Sequence, residues 1–196
     1  MKHLVITIGC EYGAKGNAIG KKIAQDLGIK FYDRDLVDEI IKEVGIPTDI
    51  MDRVEEGGTI AGKGAQGDVR GSFSKYADLT DRAIHVQKQI IRKLAQKEAC
   101  VIIGRSADYI LKDRDDVLNV FIHGNMPEKT QRIMDLHNVE EKEAVKMMAD
   151  TDKRRMTNYN FYTDQKWGKA SNYTLCLNSS QLGYDRCEKL VMECSK

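Results

Sequence analysis

The stretch that most constrains the fold is residues 4–24, which has the pattern of a strand, a glycine-bearing turn and a helix. It opens with a short run of mostly apolar, β-branched residues, as expected for a parallel strand buried on both faces. After the turn, Ile19, Ile23 and Leu27 recur every four residues on one helical face, and Gly28 stands where a C-cap belongs. Such a turn points backbone N–H groups and the positive end of a helix dipole at one spot. The sequence therefore predicts an anion-binding site.

The glycine-bearing turn is similar to the phosphate-binding Walker A pattern, G-x-x-x-x-G-K-[ST], but departs from it in two ways. Lys15 precedes Gly16 instead of following it, and Asn17 and Ala18 supply no hydroxyl group. A tight turn with no ligand is therefore an alternative, and Lys15 is then a solvent-exposed turn lysine. The residues that we predict to bind the donor phosphates are Gly13, Ala14, Lys15, Gly16, Asn17 and Ala18.

Composition narrows the class of protein. With 31 Lys+Arg and 30 Asp+Glu in 196 residues, the chain is nearly neutral, so its bulk charge predicts neither a nucleic-acid nor a membrane partner. No apolar run approaches the roughly 18 residues of a membrane span, and no signal peptide opens the sequence, so we expect a cytoplasmic protein. The widely spaced cysteines form no C-x-x-C pair, which argues against a disulfide framework or a zinc site. Cys100 and Cys176 are expected in the core. For Cys10, which lies in the glycine-bearing turn with no histidine close in sequence, we expect no chemistry, and a nucleophile is the alternative.

Strand and helix patterns alternate along the rest of the chain, which is typical of right-handed βαβ units and a parallel sheet covered on both faces. One helix is predicted from the spacing of Leu36, Ile40 and Val44, and a longer one from the apolar residues between 83 and 94. Asn125 has the spacing of a capping box with the glutamate three positions later. The further strand candidates are residues 29–33, 99–104, 117–123 and 173–178.

Two segments look inserted into this α/β core, which we otherwise expect to form a single domain over residues 1–196. The first spans about 45–78 and contains the stretch 55–72, which holds six of the sixteen glycines and almost no apolar anchor. That composition predicts a mobile loop. The second insert spans about 136–172 and is rich in charged and aromatic residues.

Five motifs follow the glycine-bearing turn in order: FYDRD (31–35), VIIGRSADYI (101–110), FIHGNMPEKTQR (121–132), DKRRMTNYNFY (152–162) and NYTLCLNSS (172–180). Together with that turn they resemble the cytidylate-kinase-like family, a branch of the P-loop nucleoside monophosphate kinases. The resemblance covers essentially the whole chain. It implies a P-loop kinase-type three-layer α/β/α fold with a five-stranded parallel sheet, and it makes the first insert an acceptor-binding segment and the second a lid.

The resemblance also assigns roles to single residues. Asp33 aligns with an aspartate that ends the second strand, which implies contact with the acceptor and with Mg²⁺ through water; capping the next helix is the alternative. Arg105 aligns with an arginine that holds the acceptor phosphate; an ion pair at the sheet edge is the alternative. Arg132 falls at the root of the lid. Asp152 and Arg155 reproduce a D-x-x-R pair that recognises cytosine and reaches the phosphates in cytidylate kinases, so both join the expected acceptor site.

These assignments imply ATP-dependent phosphoryl transfer to a nucleoside monophosphate, with Mg²⁺ as cofactor and CMP or dCMP as the default acceptor. We predict Lys15, Arg132 and Arg155 as the catalytic residues, because cations must neutralise charge on the transferred group. The family's lysine and hydroxyl are replaced here by Gly16 and Ala18. Two alternatives therefore stay open: a nucleotide-binding regulatory protein with weak or no turnover, and a kinase of another small metabolite. The expected partners are ATP and a small phosphorylated acceptor.

Overall fold

A five-stranded parallel sheet organises the computed structural model of this chain, which describes residues 4–43, 45 and 69–195. In chain order its strands are β1 (Val5–Cys10), β2 (Lys30–Tyr32), β3 (Cys100–Ile103), β4 (Val117–His123) and β5 (Leu175–Asn178). Their order across the sheet is β2-β3-β1-β4-β5, and every neighbouring pair is parallel. All five strands therefore end at one edge, which is where ligands bind in open α/β sheets.

Helices connect these strands and flank the sheet. In chain order they are α1 (Gly16–Leu27), α2 (Arg34–Glu43), α3 (Val69–Lys97), α4 (Ala107–Ile110), α5 (Met126–His137), α6 (Glu141–Tyr162), a short 3₁₀ turn (Ala170–Asn172), α7 (Ser179–Leu182) and α8 (Tyr184–Cys194). Among the described residues, no helix combines the length and the apolar character needed to cross a bilayer.

The helices bury a separate core on each face of the sheet. Successive strand residues point to opposite faces, so neighbouring positions of β1 join different cores. On one face, Val5 packs with Val37 of α2 and Ile91 of α3. On the other face, Ile6 packs with Ile23 of α1 and with residues of α8. The predicted three-layer α/β/α fold with a five-stranded parallel sheet is confirmed.

The strand predictions are confirmed as well, because each observed strand lies within two residues of its predicted ends. The predicted face of α1 is confirmed in the same way. Ile19 and Ile23 are buried, and Gly28 takes a left-handed conformation with φ 64° as the C-cap. A left-handed position favours glycine, which has no Cβ to collide with the backbone.

The helix predicted from the spacing of Leu36, Ile40 and Val44 is confirmed as α2, but a different row of residues faces the core. Leu36 is 36% exposed and Ile40 is only half-buried, whereas Val37 and Ile41 are completely buried. The pair Leu36 and Ile40 and the pair Val37 and Ile41 both have a spacing of four residues. Periodicity alone therefore does not predict which pair is buried. Packing against α3 and the sheet selects the row that starts one position later. Val44, the third residue of the predicted row, lies outside the described residues.

The cysteine predictions divide. Cys100 is buried in β3 as predicted, and burial raises the pKa of its thiol to about 12. The prediction that Cys176 lies in the core is wrong, because its side chain is exposed on β5, the edge strand next to β4. All five cysteines are free thiols.

Asn125 precedes α5 in an extended conformation, as an N-cap residue should, but the predicted capping hydrogen bond is not made. Its Oδ1 accepts a hydrogen bond from Nδ2 of Asn178 at 2.9 Å instead. Its Nδ2 donates to Oε1 of Glu128 at 3.3 Å. The side chain therefore links α5 to the end of β5 rather than closing a capping box.

The structure describes the whole of the second predicted insert but only part of the first. Most of the first, 45–78, lies outside the described residues, which resume at residue 69 with α3. The mobile loop expected at 55–72 likewise lies outside them, except for its last four residues, which belong to α3. The segment 136–172 contains α6, which packs on α5 through a small cluster that includes Met148.

Candidate functional site

The loop between β1 and α1 turns tightly at the C-terminal edge of the sheet. Its backbone is held at both ends, by the Glu11 N–H donating to Ile122 O at 3.0 Å and by the Ala14 N–H donating to Glu11 O at 3.1 Å. Lys15 is left-handed at φ 61° and is the N-cap of α1. A lysine at such a position is strained relative to a glycine, and strain of this kind gathers at functional loops. The loop therefore presents the N-terminus of α1 to this edge.

Gly16 is the first residue of α1, and the resemblance to cytidylate kinases predicts that it replaces their lysine. A Cβ at position 16 would lie 2.5 Å from Cβ and 2.7 Å from Sγ of Cys10. No side chain fits there unless Cys10 moves. The side chain of Cys10 therefore occupies the space into which a side chain at position 16 would extend.

The thiol of Cys10 lies beside Gly16 and near the Arg155 guanidinium. Burial raises its pKa, and the nearby Arg155 guanidinium only partly offsets that effect. A thiol with a raised pKa is a poor nucleophile at neutral pH.

The side chain of Lys15 is turned toward α8. Its Nζ lies 4.7 Å from the centroid of the Tyr184 ring. The guanidinium carbon of Arg132 lies 5.1 Å from the same centroid. Two cations therefore share one aromatic ring at the start of α8, in the geometry of cation–π contacts.

Three side chains of α5 and α6 contact the loop after β1 directly. Arg132 donates from Nη1 to Gly13 O at 2.8 Å, and Arg155 donates from Nη1 to Cys10 O at 2.9 Å. The Tyr12 N–H donates to Oδ1 of Asp152 at 2.8 Å. Burial raises the pKa of Asp152, and the Tyr12 hydrogen bond opposes that rise. The structure thus brings Arg132, Asp152 and Arg155 together at the loop, and it places Asp152, predicted as an acceptor residue, beside the expected donor phosphates.

Sequence reasoning missed the polar contacts that tie this loop to α5. Lys129 is 5% exposed, and its Nζ pairs with Oε2 of Glu11 at 2.7 Å. The same Glu11 oxygen accepts from the Gly124 N–H at 3.2 Å. The Tyr12 hydroxyl lies 2.7 Å from Nε2 of His137, a histidine to which the sequence assigned no role. Since Glu11 and Lys129 lie 118 residues apart, no local pattern in the sequence predicts their pairing.

A second turn at this edge follows β3. Gly104, Arg105 and Ser106 are left-handed in succession, with φ values of 65°, 56° and 52°. The Arg105 side chain is 4% exposed and forms an ion pair with Asp38 of α2. The structure therefore realises the ion-pair alternative for Arg105. Gln87 of α3 closes the turn from the other side, donating from Nε2 to Arg105 O at 3.2 Å.

Asp33 lies between the end of β2 and the start of α2. Its Oδ1 accepts a hydrogen bond from the Leu36 N–H at 3.0 Å, so the helix-capping alternative is also realised. A lone carboxylate at this edge suits Mg²⁺ held through water, because Mg²⁺ retains several of its waters and takes its other ligands from phosphates. Among the residues that the structure describes, no three His, Cys, Asp or Glu side chains form a group that could hold a metal ion.

The aromatic end of α6 is anchored to the second turn. The Tyr159 hydroxyl donates to Oδ2 of Asp108 in α4 at 2.6 Å, and both residues are buried. Burial raises the pKa of Asp108, with the Tyr159 hydrogen bond acting against it. This hydrogen bond attaches α6 to α4, the short helix after Arg105.

The comparisons with known proteins agree with this geometry. The model described as the cytidylate kinase-like family matches residues 5–181. Among solved structures, the chain is similar to an uncharacterized protein from Eubacterium ventriosum, with a TM-score of 0.77, 28% sequence identity and 98% of each chain covered. No curated protein matches the chain.

Two shikimate kinases are also similar in structure. That of Bacteroides thetaiotaomicron gives a TM-score of 0.55 at 14% identity, with 97% of each chain covered. That of Acinetobacter baumannii, solved in complex with shikimate, gives a TM-score of 0.52 at 14% identity and covers 98% of this chain and 92% of its own. At these identities the likeness extends to the fold alone.

Proposed function

The chain belongs to the cytidylate kinase-like family, and we propose that it transfers the terminal phosphoryl group of ATP to a nucleoside monophosphate, with CMP or dCMP as the first acceptors to test. The observation that carries this proposal is the pair of guanidinium groups, from Arg132 and Arg155, held against the phosphate loop. In the transfer, an acceptor oxygen attacks the terminal phosphorus of ATP and the bond to the ADP oxygen breaks. The protein's task is alignment and charge neutralisation.

The donor phosphates are proposed to bind to the backbone amides of residues 13–18 and to the N-terminus of α1. An anion there gains from the unpaired N–H groups and from the helix dipole, with no demand on side-chain type. This explains how a loop with Ala18 in place of a hydroxyl residue can still hold phosphate. Lys15, close to Tyr184, adds a positive charge at the entrance of the same loop.

Arg155 is proposed to supply the charge that a Walker lysine supplies elsewhere. Position 16 has no room for a side chain beside Cys10, so the cation must come from another element. Arg155 already reaches Cys10 O, and its side chain is 40% exposed, so the guanidinium can also meet a phosphate oxygen. Asp152, 4.0 Å from Nη1 of Arg155, holds that guanidinium in position.

The acceptor is proposed to lie between Asp33 and Arg105, at the ends of β2 and β3. Mg²⁺, when bound, neutralises charge across the donor oxygens. Asp33 is the residue that would hold it through water. Arg105 contributes a guanidinium whose orientation is fixed by Asp38. Arg132 adds a second cation on the lid side of the loop.

A nucleotide-binding protein without turnover is the second candidate. Two observations favour it: no lysine follows the last glycine of the loop, and the Lys15 ammonium is turned toward an aromatic ring. Such a protein binds ATP but does not transfer its phosphoryl group.

Acceptor-dependent ADP release separates the two candidates. The wild-type chain and Arg155→Gln would be compared in Mg·ATP with CMP, dCMP, UMP and AMP. Arg154→Gln is the matched control, because Arg154 contacts Thr151 through Nη2 at 3.3 Å. The proposed kinase releases ADP with at least one acceptor, loses that release in Arg155→Gln and keeps it in Arg154→Gln. ATP binding without release for every acceptor supports the second candidate.

A further inference from the structure

A buried polar atom of α3, next to the turn after β3, is not used in the proposed reaction. Gln87 of α3 is 7% exposed, and its Nε2 donates to Arg105 O. That hydrogen bond fixes the orientation of the amide, because exchanging its two ends would set the Oε1 oxygen against another carbonyl oxygen. Oε1 is buried and has no hydrogen-bond partner among the residues that the structure describes.

A buried hydrogen-bond acceptor without a partner costs free energy, so its presence on the buried face of α3 needs an explanation. The neighbouring positions of α3, Ile84 and Ile91, are apolar and buried, so a residue such as Leu or Met at position 87 would continue their face. The left-handed turn beside Gln87 lies at the edge of the sheet where open α/β sheets bind ligands.

The local charges indicate what kind of group meets Gln87. The Arg105 guanidinium is already balanced by the Asp38 carboxylate, so this corner holds no net positive charge from that pair. An acceptor oxygen such as Oε1 pairs only with a hydrogen-bond donor, and it repels phosphate and carboxylate oxygens. Oε1 of Gln87 is therefore suited to pair with a hydroxyl or an amine rather than with an anionic group.

We propose that Gln87 determines acceptor specificity, with Oε1 accepting a hydrogen bond from a hydroxyl or exocyclic amine of the phosphoryl acceptor. This inference rests on the proposed function, since it concerns the acceptor of that reaction. Because Oε1 is out of contact with water, the hydrogen bond forms as α3 and the turn adjust around the bound acceptor. Selectivity against acceptors that lack the donor follows, because they leave the buried oxygen unpaired.

The test compares Gln87→Met with Gln89→Met. Methionine keeps the length of the side chain and removes both polar atoms. Gln89 lies on the same helix, is exposed and contacts His85, so its substitution is a matched control. Affinities for CMP, UMP and dCMP would be measured by calorimetry, with ATP affinity and thermal unfolding as checks on the fold. UMP replaces the exocyclic amine of CMP by a carbonyl, and dCMP lacks the 2′-hydroxyl.

We expect Gln87→Met to bind the preferred nucleotide about tenfold more weakly and to lose the discrimination against the analogue that lacks the donor. The ATP affinity of Gln87→Met and all nucleotide affinities of Gln89→Met should equal those of the wild type. If Gln87→Met fails to fold, Gln87→Leu is measured instead. Equal acceptor affinities in wild type and both Gln87 variants overturn the assignment, as does a wild type that binds none of the three nucleotides.

Failure of the inference and failure of the proposed function look different in these experiments. An acceptor that is bound and phosphorylated without any dependence on Gln87 overturns only the inference. An acceptor whose binding depends on Gln87 but which yields no ADP with Mg·ATP overturns only the proposed phosphoryl transfer.

Discussion

Two turns leave neighbouring strands at the same edge of the sheet, and they hold their basic residues in opposite ways. The loop after β1 has Lys15 left-handed at φ 61°, and the turn after β3 has Arg105 left-handed at φ 56°. The Lys15 side chain is exposed and lies over an aromatic ring, whereas the Arg105 side chain is 4% exposed and paired with Asp38. Similar backbone strain therefore supports two different electrostatic arrangements.

The two turns also differ in which parts of the chain contact them. The loop after β1 is completed from a distance, since Arg155 reaches Cys10 from 145 residues away. The turn after β3 is completed by its neighbours α2 and α3, through Asp38 and Gln87. The donor side of the proposed site therefore depends on the lid, and the acceptor side is assembled within the core.

The largest expected effect concerns the stability that each basic residue provides. Arg105→Met removes the buried guanidinium that is paired with Asp38, so we expect a loss of about 3–5 kcal/mol in the free energy of unfolding. Lys15→Met changes an exposed side chain, so we expect a change within about 0.5 kcal/mol. Urea unfolding measures both.

The double variant Asp38→Leu/Arg105→Met is the control for that prediction. Removing both charges should recover most of the lost stability, because a buried pair can be replaced by apolar residues at little cost. Equal losses in Arg105→Met and Lys15→Met would contradict the contrast between the two turns.

The next effect is on turnover. Arg155→Gln removes the guanidinium at the phosphate loop, and we expect turnover to fall about 100- to 1000-fold, as for loss of one group that stabilises charge in the transition state. Arg154→Gln should leave turnover within about twofold, because an exposed change away from the site has little effect. Steady-state ADP release measures both, and comparable losses in the two variants would assign the effect to the lid as a whole.

Close packing at the loop gives a smaller effect on stability. Gly16→Ala places a Cβ 2.5 Å from that of Cys10, so we expect a loss of about 1–3 kcal/mol from overpacking. The double variant Cys10→Gly/Gly16→Ala opens the space again and should regain most of that loss. Additive losses in the double variant would show that Cys10 does not occupy the space beside Gly16.

The smallest effect is on the pH dependence of stability. Burial raises the pKa of Asp108 beside the second turn. A carboxyl with a raised pKa in the folded state binds its proton more tightly there than when unfolded. Its favourable contribution is therefore complete below the ordinary value of 3.8 and is lost as the pH rises through the raised pKa.

Asp108→Asn should abolish that dependence while keeping an acceptor for the Tyr159 hydroxyl. Unfolding would be measured from pH 4 to pH 7, and the wild type should lose stability relative to the variant as the pH rises. Parallel stability curves for the two proteins would show that Asp108 does not titrate in this range.

The sequence predicts most of the fold because the strands and α1 are encoded in local patterns. It predicts the residue types at the edge of the sheet but not their partners. Asp33 and Arg105 were each given two roles, and the choice between them needed the position of α2. Gln87 was visible as a polar interruption of the apolar face between Ile84 and Ile91, and that signal went unused.

The central claim is that the chain is a phosphotransferase whose lid arginine serves in place of the missing loop lysine. The most direct measurement is ADP release from Mg·ATP in the presence of CMP by the wild type, Arg155→Gln and Arg154→Gln. We expect CMP-dependent release by the wild type and Arg154→Gln, and its loss in Arg155→Gln. ATP binding with no release from the wild type, or full release from Arg155→Gln, would contradict it.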